Sequence, residues 1–190
     1  MMKLLARAVL PVAAGALLLA GCTDTRTGTP SPAGSATSAP STGESSSADP
    51  GGATTTSLEP CTLLTAADVT AYGTFKDAEE KKLGKARVCS YQKQRTDASE
   101  EGGIIGVAIR DDAPLDSVND TGGGIKDLDI NGRKAKQASS QSPLGCTVAL
   151  GVGDKARVDV NVTAVDTVEK ACQMAEEVAT KAVEPKLPKA

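Results

Sequence analysis

Alternating apolar and polar positions mark the strands of this chain first. In the stretch IIGVAIR, residues 104–110, Ile105, Val107 and Ile109 occupy every second position, the pattern of a half-buried strand. Cys146, Val148 and Leu150 alternate on a second strand, and Val158, Val160 and Val162 on a third, with a turn at residues 151–155 between them. Residues 125–130 and 133–138 flank Asn131-Gly132, a two-residue turn signal that joins them into a hairpin. Residues 87–93 read as a further strand carrying Cys89 and Tyr91.

The period changes near both ends of this run. Leu63-Leu64-Thr65-Ala66-Ala67-Asp68-Val69 reads as a short helix with Thr65 as N-cap and Asp68 near the positive end of the helix dipole. Gly73 stops it. From Thr167 to Glu184, Val168, Cys172, Ala175, Val178, Ala179 and Ala182 recur at helical spacing and form one apolar stripe. Asp166 is the expected N-cap and Pro185 the stop. The fold class is therefore α+β. An antiparallel sheet of about five to six strands is expected, with the short N-terminal helix and the long C-terminal helix packed on one face.

The first twenty-two residues follow a different pattern. Lys3 and Arg7 are the only charges before Asp24, and residues 8–20 read AVLPVAAGALLLA. A basic start followed by a short apolar run is the layout of an export signal, and the run is shorter than the roughly 20 apolar residues of a membrane span. It ends in Leu19-Ala20-Gly21-Cys22, which resembles the lipobox of bacterial lipoproteins. Small residues at Ala20 and Gly21 open the backbone to a peptidase. The Cys22 thiol takes a diacylglyceryl group and becomes the mature N-terminus. Each buried acyl CH2 contributes about 0.8 kcal/mol, so several chains on one residue hold a protein to a bilayer.

Residues 23–57 consist almost wholly of Thr, Ser, Pro, Gly and Ala. Such a segment has nothing to bury and reads as a disordered tether, with a composition that suits O-glycosylation. At this length a flexible coil spans roughly 30–35 Å. The expected organisation is a signal peptide at 1–21, a lipidated Cys22 with its tether at 22–57, and one globular domain at 58–190.

Charge and composition narrow the function. Removing residues 1–21 takes away two basic groups and no acid, leaving 19 Lys and Arg against 24 Asp and Glu. A net charge of −5 argues against nucleic acid and against a polybasic membrane patch. Histidine and tryptophan are absent, which excludes Ser-His-Asp and Cys-His catalysis and histidine-ligated metal.

Four cysteines fall in the domain, Cys61, Cys89, Cys146 and Cys172. An even number in an exported domain reads as two disulfides, and no local C-x-x-C pair is present to suggest zinc. Spacing alone leaves all three pairings open. Cys172 lies on the apolar stripe of the last helix and Cys146 on a strand that this helix covers, which favours Cys146–Cys172 and leaves Cys61–Cys89.

Other clusters have plainer readings. Asp111, Asp112 and Asp116 lack the spacing and glycine of a calcium loop and read as a solvated loop. Gly122-Gly123-Gly124 has no following Lys-Ser/Thr and no helix start, so a flexible loop before the next strand is expected. Asn119-Asp120-Thr121 and Asn161-Val162-Thr163 match the glycan sequon by chance. Asp127 and Asp129 share one strand face, and Glu100-Glu101 stand together. Only their convergence in a cleft with raised pKa values would suggest carboxylate catalysis.

Several short motifs carry a family resemblance. Pro60-Cys61-Thr62-Leu63-Leu64-Thr65, Cys89-Ser90-Tyr91, Gly132-Arg133, Cys146 and Cys172-Gln173-Met174-Ala175 resemble the pattern of domain of unknown function 3558, an actinobacterial lipoprotein family, over about residues 58–188. The resemblance implies a cell-envelope location and paired cysteines, and brings no catalytic residues. The expected protein is a lipoprotein on the extracytoplasmic face of the plasma membrane, a non-enzymatic binding module with no cofactor or metal. Its expected partners are the membrane, through Cys22, and an envelope protein or small apolar ligand. An apolar small-ligand (lipid) carrier is the alternative, and a carboxylate-based envelope hydrolase a less favoured one.

Overall fold

A computed structural model of the chain describes residues 54–100, 102–163 and 165–189. The expected signal peptide, Cys22, most of the tether and Glu101 lie outside the described residues. One antiparallel sheet of seven strands dominates the fold. Its strands are β1 (Glu79–Leu83), β2 (Ala86–Gln92), β3 (Ile104–Arg110), β4 (Gly122–Ile130), β5 (Arg133–Gln141), β6 (Leu144–Val152) and β7 (Ala156–Thr163). Their order is β1-β2-β3-β7-β6-β5-β4. Two meanders, β1 to β3 and β4 to β7, are thus sewn together by β3 pairing with β7, from Ile104 opposite Thr163 to Arg110 opposite Arg157.

Seven strands replace the expected five to six because β1 reads EEKKL. All five of its residues are exposed, so it has no apolar alternation and is held by backbone pairing to β2. Charged side chains on an edge strand also discourage pairing with another chain.

Cross-strand register places Cys89, Val107, Val160 and Val148 side by side on one face, with Tyr91, Ile105, Val162 and Cys146 in the next row. All eight are buried. The helices cover this face. α1 (Pro60–Leu63) contacts β2 and β3, α2 (Ala66–Val69) follows it, and α3 (Val168–Val178) lies across β5, β6 and β7. Alanines at 171 and 175 are fully buried, and their small size lets α3 sit close to the sheet. The expected N-terminal helix is thus two single turns. Thr65 caps the second, with the Asp68 carboxylate accepting from the Thr65 N–H at 2.8 Å.

The last helix differs in detail. Its N-cap is Thr167, which accepts from the Lys170 N–H at 3.1 Å. Asp166, the expected cap, instead pairs with the Lys170 ammonium at 3.2 Å. The α-helix ends at Val178 and continues as a wider π turn, Ala179–Val183, and a tight 3₁₀ turn, Glu184–Lys186. Pro185 has no N–H to extend the regular ladder. Ala182 and Val183 stay buried through this change.

Both expected disulfides are present. Cys61–Cys89 joins the first helical turn to β2, and Cys146–Cys172 joins β6 to α3, with Cα separations of 5.1 and 4.9 Å. Contacts of the folded region reach back past Leu58. Thr55 is 1 % exposed, and Arg87 donates to its carbonyl at 2.9 Å.

The second sheet face has its own buried ionic cluster, which alternation did not reveal. Asp159 on β7 accepts from Arg157 and from Arg110. Arg157 also donates to the Pro114 carbonyl at 2.9 Å. This bond holds residues 111–121, the crossover from β3 to the opposite edge, against β7.

Candidate ligand-binding cleft

The π turn and the Asn131-Gly132 hairpin lock the far end of α3. Asn131 and Gly132 have φ of 54° and 84°, the left-handed pair that a tight hairpin requires. Asn131 Nδ2 donates to the Thr180 carbonyl and to Glu184. Arg133, 2 % exposed, donates to the carbonyls of Gly151 at 2.9 Å and Pro188 at 2.6 Å. The other end of α3 is tied to β6 by the Cys146–Cys172 bridge.

A cleft of about 310 Å³ opens beside α3, between its residues 170–177, the adjoining ends of β3 and β7, and residues 72–75. This volume is at the lower end of the small-ligand range. Its apolar wall is built from Phe75, Ile105, Val162, Val165 and Met174, and Tyr72 closes one side. Two of the chain's three aromatic residues therefore stand in one place. The polar groups are Lys93, Lys170, Gln173 and Glu177. On α3, Lys170, Gln173, Met174 and Glu177 follow i, i+3, i+4, i+7 spacing and form a second face beside the buried alanines.

The charges of the cleft are unevenly satisfied. Burial first, then the neighbouring Glu177 charge and hydrogen bond, push the Tyr72 phenol up to about 12. Hydrogen bonds from Lys181 and then Tyr72 hold the Glu177 carboxyl below its ordinary value. At neutral pH the cleft thus has a phenol donating to a carboxylate that Lys181 already neutralises. Lys93 is half-buried, and no carboxylate among the described residues forms an ion pair with it; Glu100 exerts only a longer-range attraction.

Two glycines shape the course of Lys93. Gly73 has φ of +131°, a conformation that side chains rarely adopt. A Cβ there would stand 3.1 Å from Lys93 Cε, and one at Gly103 would stand 3.7 Å from Lys93 Cβ. The Lys93 N–H donates to the Gly103 carbonyl at 2.8 Å. The aliphatic stem therefore runs through a slot that larger residues would narrow.

Among the described residues, Asp127, Asp129 and Glu100 do not converge on one cleft. Asp127, 85 % exposed, pairs with Lys136 at 3.0 Å. Asp129 accepts from the Gly132 N–H in the hairpin turn at 2.7 Å. Glu100 accepts from the Thr96 N–H and hydroxyl, and these bonds lower its pKa. Asp111 forms a two-point pair with Arg87, and Asp116, 94 % exposed, stands 3.6 Å from Lys136. Among the described residues no group of three or more His, Cys, Asp or Glu is arranged to hold a metal.

Gly122-Gly123-Gly124 is part of β4 and not a free loop. Gly123 packs on Ser139, whose hydroxyl donates to its carbonyl at 2.9 Å, and Asp120 accepts from the N–H groups of Gly122 and Gly124. Asn161 of the second sequon is engaged in the sheet, accepting from Thr147 at 2.7 Å.

The motifs that carried the resemblance are structural. Leu63 and Leu64 are core residues, and the Leu64 carbonyl accepts from the Tyr91 hydroxyl at 3.2 Å. Gly132 turns the hairpin, Arg133 clamps the C-terminal residues, and the cysteines form the two bridges. Together they define a disulfide-braced α+β domain with a half-apolar cleft under its last helix. The chain belongs to the family described as protein of unknown function, DUF3558, whose model matches residues 17–185. No curated protein and no solved structure matches it.

Proposed function

We propose that this chain is an exported lipoprotein, anchored through Cys22 on the extracytoplasmic face of the plasma membrane, whose domain binds a small, largely apolar ligand. The cleft beside α3 carries the second half of this reading. It brings Tyr72, Phe75 and Met174 together with Ile105 and Val162 in a volume of ligand size. The localisation draws support from three observations. The family match begins at residue 17, so Leu19-Ala20-Gly21-Cys22 lies within it. The two disulfides suit an oxidising compartment. No helix among the described residues is long and apolar enough to cross a membrane.

A protein partner remains a second reading of the same binding role. The cleft favours a small molecule, because its apolar surface is recessed between helix and sheet and not displayed as a flat patch. Nile red, a neutral apolar probe, tests the reading on the Cys22→Ser chain. Saturable fluorescence enhancement that Met174→Glu suppresses supports it. Absence of enhancement with a folded chain rejects it.

A further inference from the structure

The cleft contains one cation, Lys93, for which the described residues supply no ion pair. Lys93 lies with its stem between Gly73 and Gly103 and lines the same cavity as Phe75 and Met174. The packed stem holds the Lys93 ammonium at the cleft, where an anion would form a charge-assisted contact with it. Lys170 adds a second positive charge to the lining, although its ammonium also pairs with Asp166.

The one carboxylate of the cleft has the opposite standing. Glu177 is already engaged by Lys181 and Tyr72. An incoming cation would compete with both, whereas an incoming anion meets Lys93 without displacing a partner. Apolar surface and charge together therefore select a ligand with an apolar body and an anionic end.

We infer that the cleft binds a single-chain amphiphile with an anionic headgroup. The chain lies against Phe75, Val165 and Met174, and the headgroup pairs with Lys93. This assignment rests on the ligand-binding reading above and adds the headgroup chemistry to it. Lys93 is then a specificity residue: it selects among ligands that the apolar wall accepts equally.

Three twelve-carbon probes separate the two levels: dodecanoate, dodecyltrimethylammonium and dodecyl maltoside, each titrated calorimetrically below its micelle concentration into the Cys22→Ser chain. Dodecanoate is expected to bind about tenfold more tightly than either of the others, the scale of one charge-assisted contact. Adding Lys93→Gln should remove that advantage while leaving dodecyl maltoside unchanged, and Lys93→Arg should keep most of it. Equal binding of all three probes, or a dodecanoate affinity indifferent to Lys93→Gln, overturns the headgroup assignment and leaves the apolar cleft standing. Failure of all three to bind a folded chain removes the ligand-binding reading itself.

Discussion

Lys186 and Asp68, 118 residues apart in sequence, meet at 2.8 Å, and Lys186 also donates to the Leu63 carbonyl at 3.0 Å. The same Asp68 oxygen accepts from the Thr65 N–H and hydroxyl at 2.8 and 2.7 Å. One carboxylate thus caps the helical turn that follows the Cys61 bridge and fastens the C-terminal residues to it.

This arrangement makes stability depend on pH in a stated direction. Burial pushes the Asp68 carboxyl up, but hydrogen bonds from Lys186 and Thr65 outweigh it and lower the pKa below its ordinary 3.8. A folded-state value below the unfolded one contributes stability that is complete above the ordinary carboxylate range. That contribution is lost as pH falls through this range towards the lowered value. Asp68→Asn should cost about 1 kcal/mol at pH 7. The difference from the parent chain should shrink at pH 3. Urea midpoints followed by circular dichroism at both pH values measure it; an equal gap at both would assign the loss to packing.

Arg87 performs a comparable task at the start of the folded region. It forms a two-point pair with Asp111 and donates to the carbonyls of Thr55 and Leu58. Asp111 in turn accepts from the Thr55 hydroxyl at 2.7 Å. Replacing Arg87 with Met keeps much of the apolar stem and removes every one of these donors. The expected cost is about 2 kcal/mol, in line with charged hydrogen bonds that are partly exposed. Limited proteolysis should then cut between residues 54 and 59, a stretch that the parent chain protects. Unchanged cleavage would show that other contacts hold Thr55 in place.

Most of the sheet was legible because its strands alternate: Val158, Val160 and Val162 announce β7 by period alone. β1 was not, since EEKKL displays no apolar face and exists only through its backbone bonds to β2. The glycine run at 122–124 misled for a related reason. Glycine reads as flexibility, yet Gly123 packs so closely on Ser139 that a Cβ would fall 2.2 Å from its hydroxyl. The disulfide pairing followed from placing Cys172 over Cys146. The cleft was hidden because it joins three separate pieces. Tyr72 and Phe75 flank a glycine stop, Lys93 ends a strand, and Lys170, Gln173 and Glu177 lie off the apolar stripe of the last helix. Only the i, i+3, i+4, i+7 run of Lys170, Gln173, Met174 and Glu177 hinted at a second working face on α3.

Tyr72 offers a spectroscopic check on the cleft. The chain has no tryptophan and two tyrosines, so tyrosinate absorbance is uncluttered. Tyr72 is pushed up to about 12, and Tyr91 is raised by burial and then by the charge of Asp68. Little tyrosinate should form at pH 10, where a free phenol is half ionised. Because a raised folded-state value contributes stability below pH 10 that is lost as pH rises through the higher one, the tyrosinate step should coincide with alkaline unfolding. Replacing Glu177 with Gln removes the neighbouring charge, so a Tyr72 step should separate and appear at a lower pH than the unfolding step that carries Tyr91. An ordinary titration of both tyrosines at pH 10 in the folded chain would contradict a closed, partly dry cleft wall.

Cys22 differs from the other four cysteines in what it has to pair with. Cys61, Cys89, Cys146 and Cys172 consume one another in two bridges, so the fifth thiol has no partner within the domain. It follows fourteen uncharged residues, the last two of them the small pair Ala20-Gly21, the setting that the proposed lipid anchor requires. Each acyl chain alone gives marginal membrane affinity, and several on one residue give a lasting anchor. Cys22→Ser should therefore move the protein from the membrane fraction to the soluble one and abolish labelling by a fatty-acid analogue. Its unfolding free energy should stay within about 0.5 kcal/mol of the parent, since position 22 belongs to the expected tether and not to the domain. A processed Cys22→Ser chain that still sediments with membranes would reject the lipid anchor, whatever the domain binds.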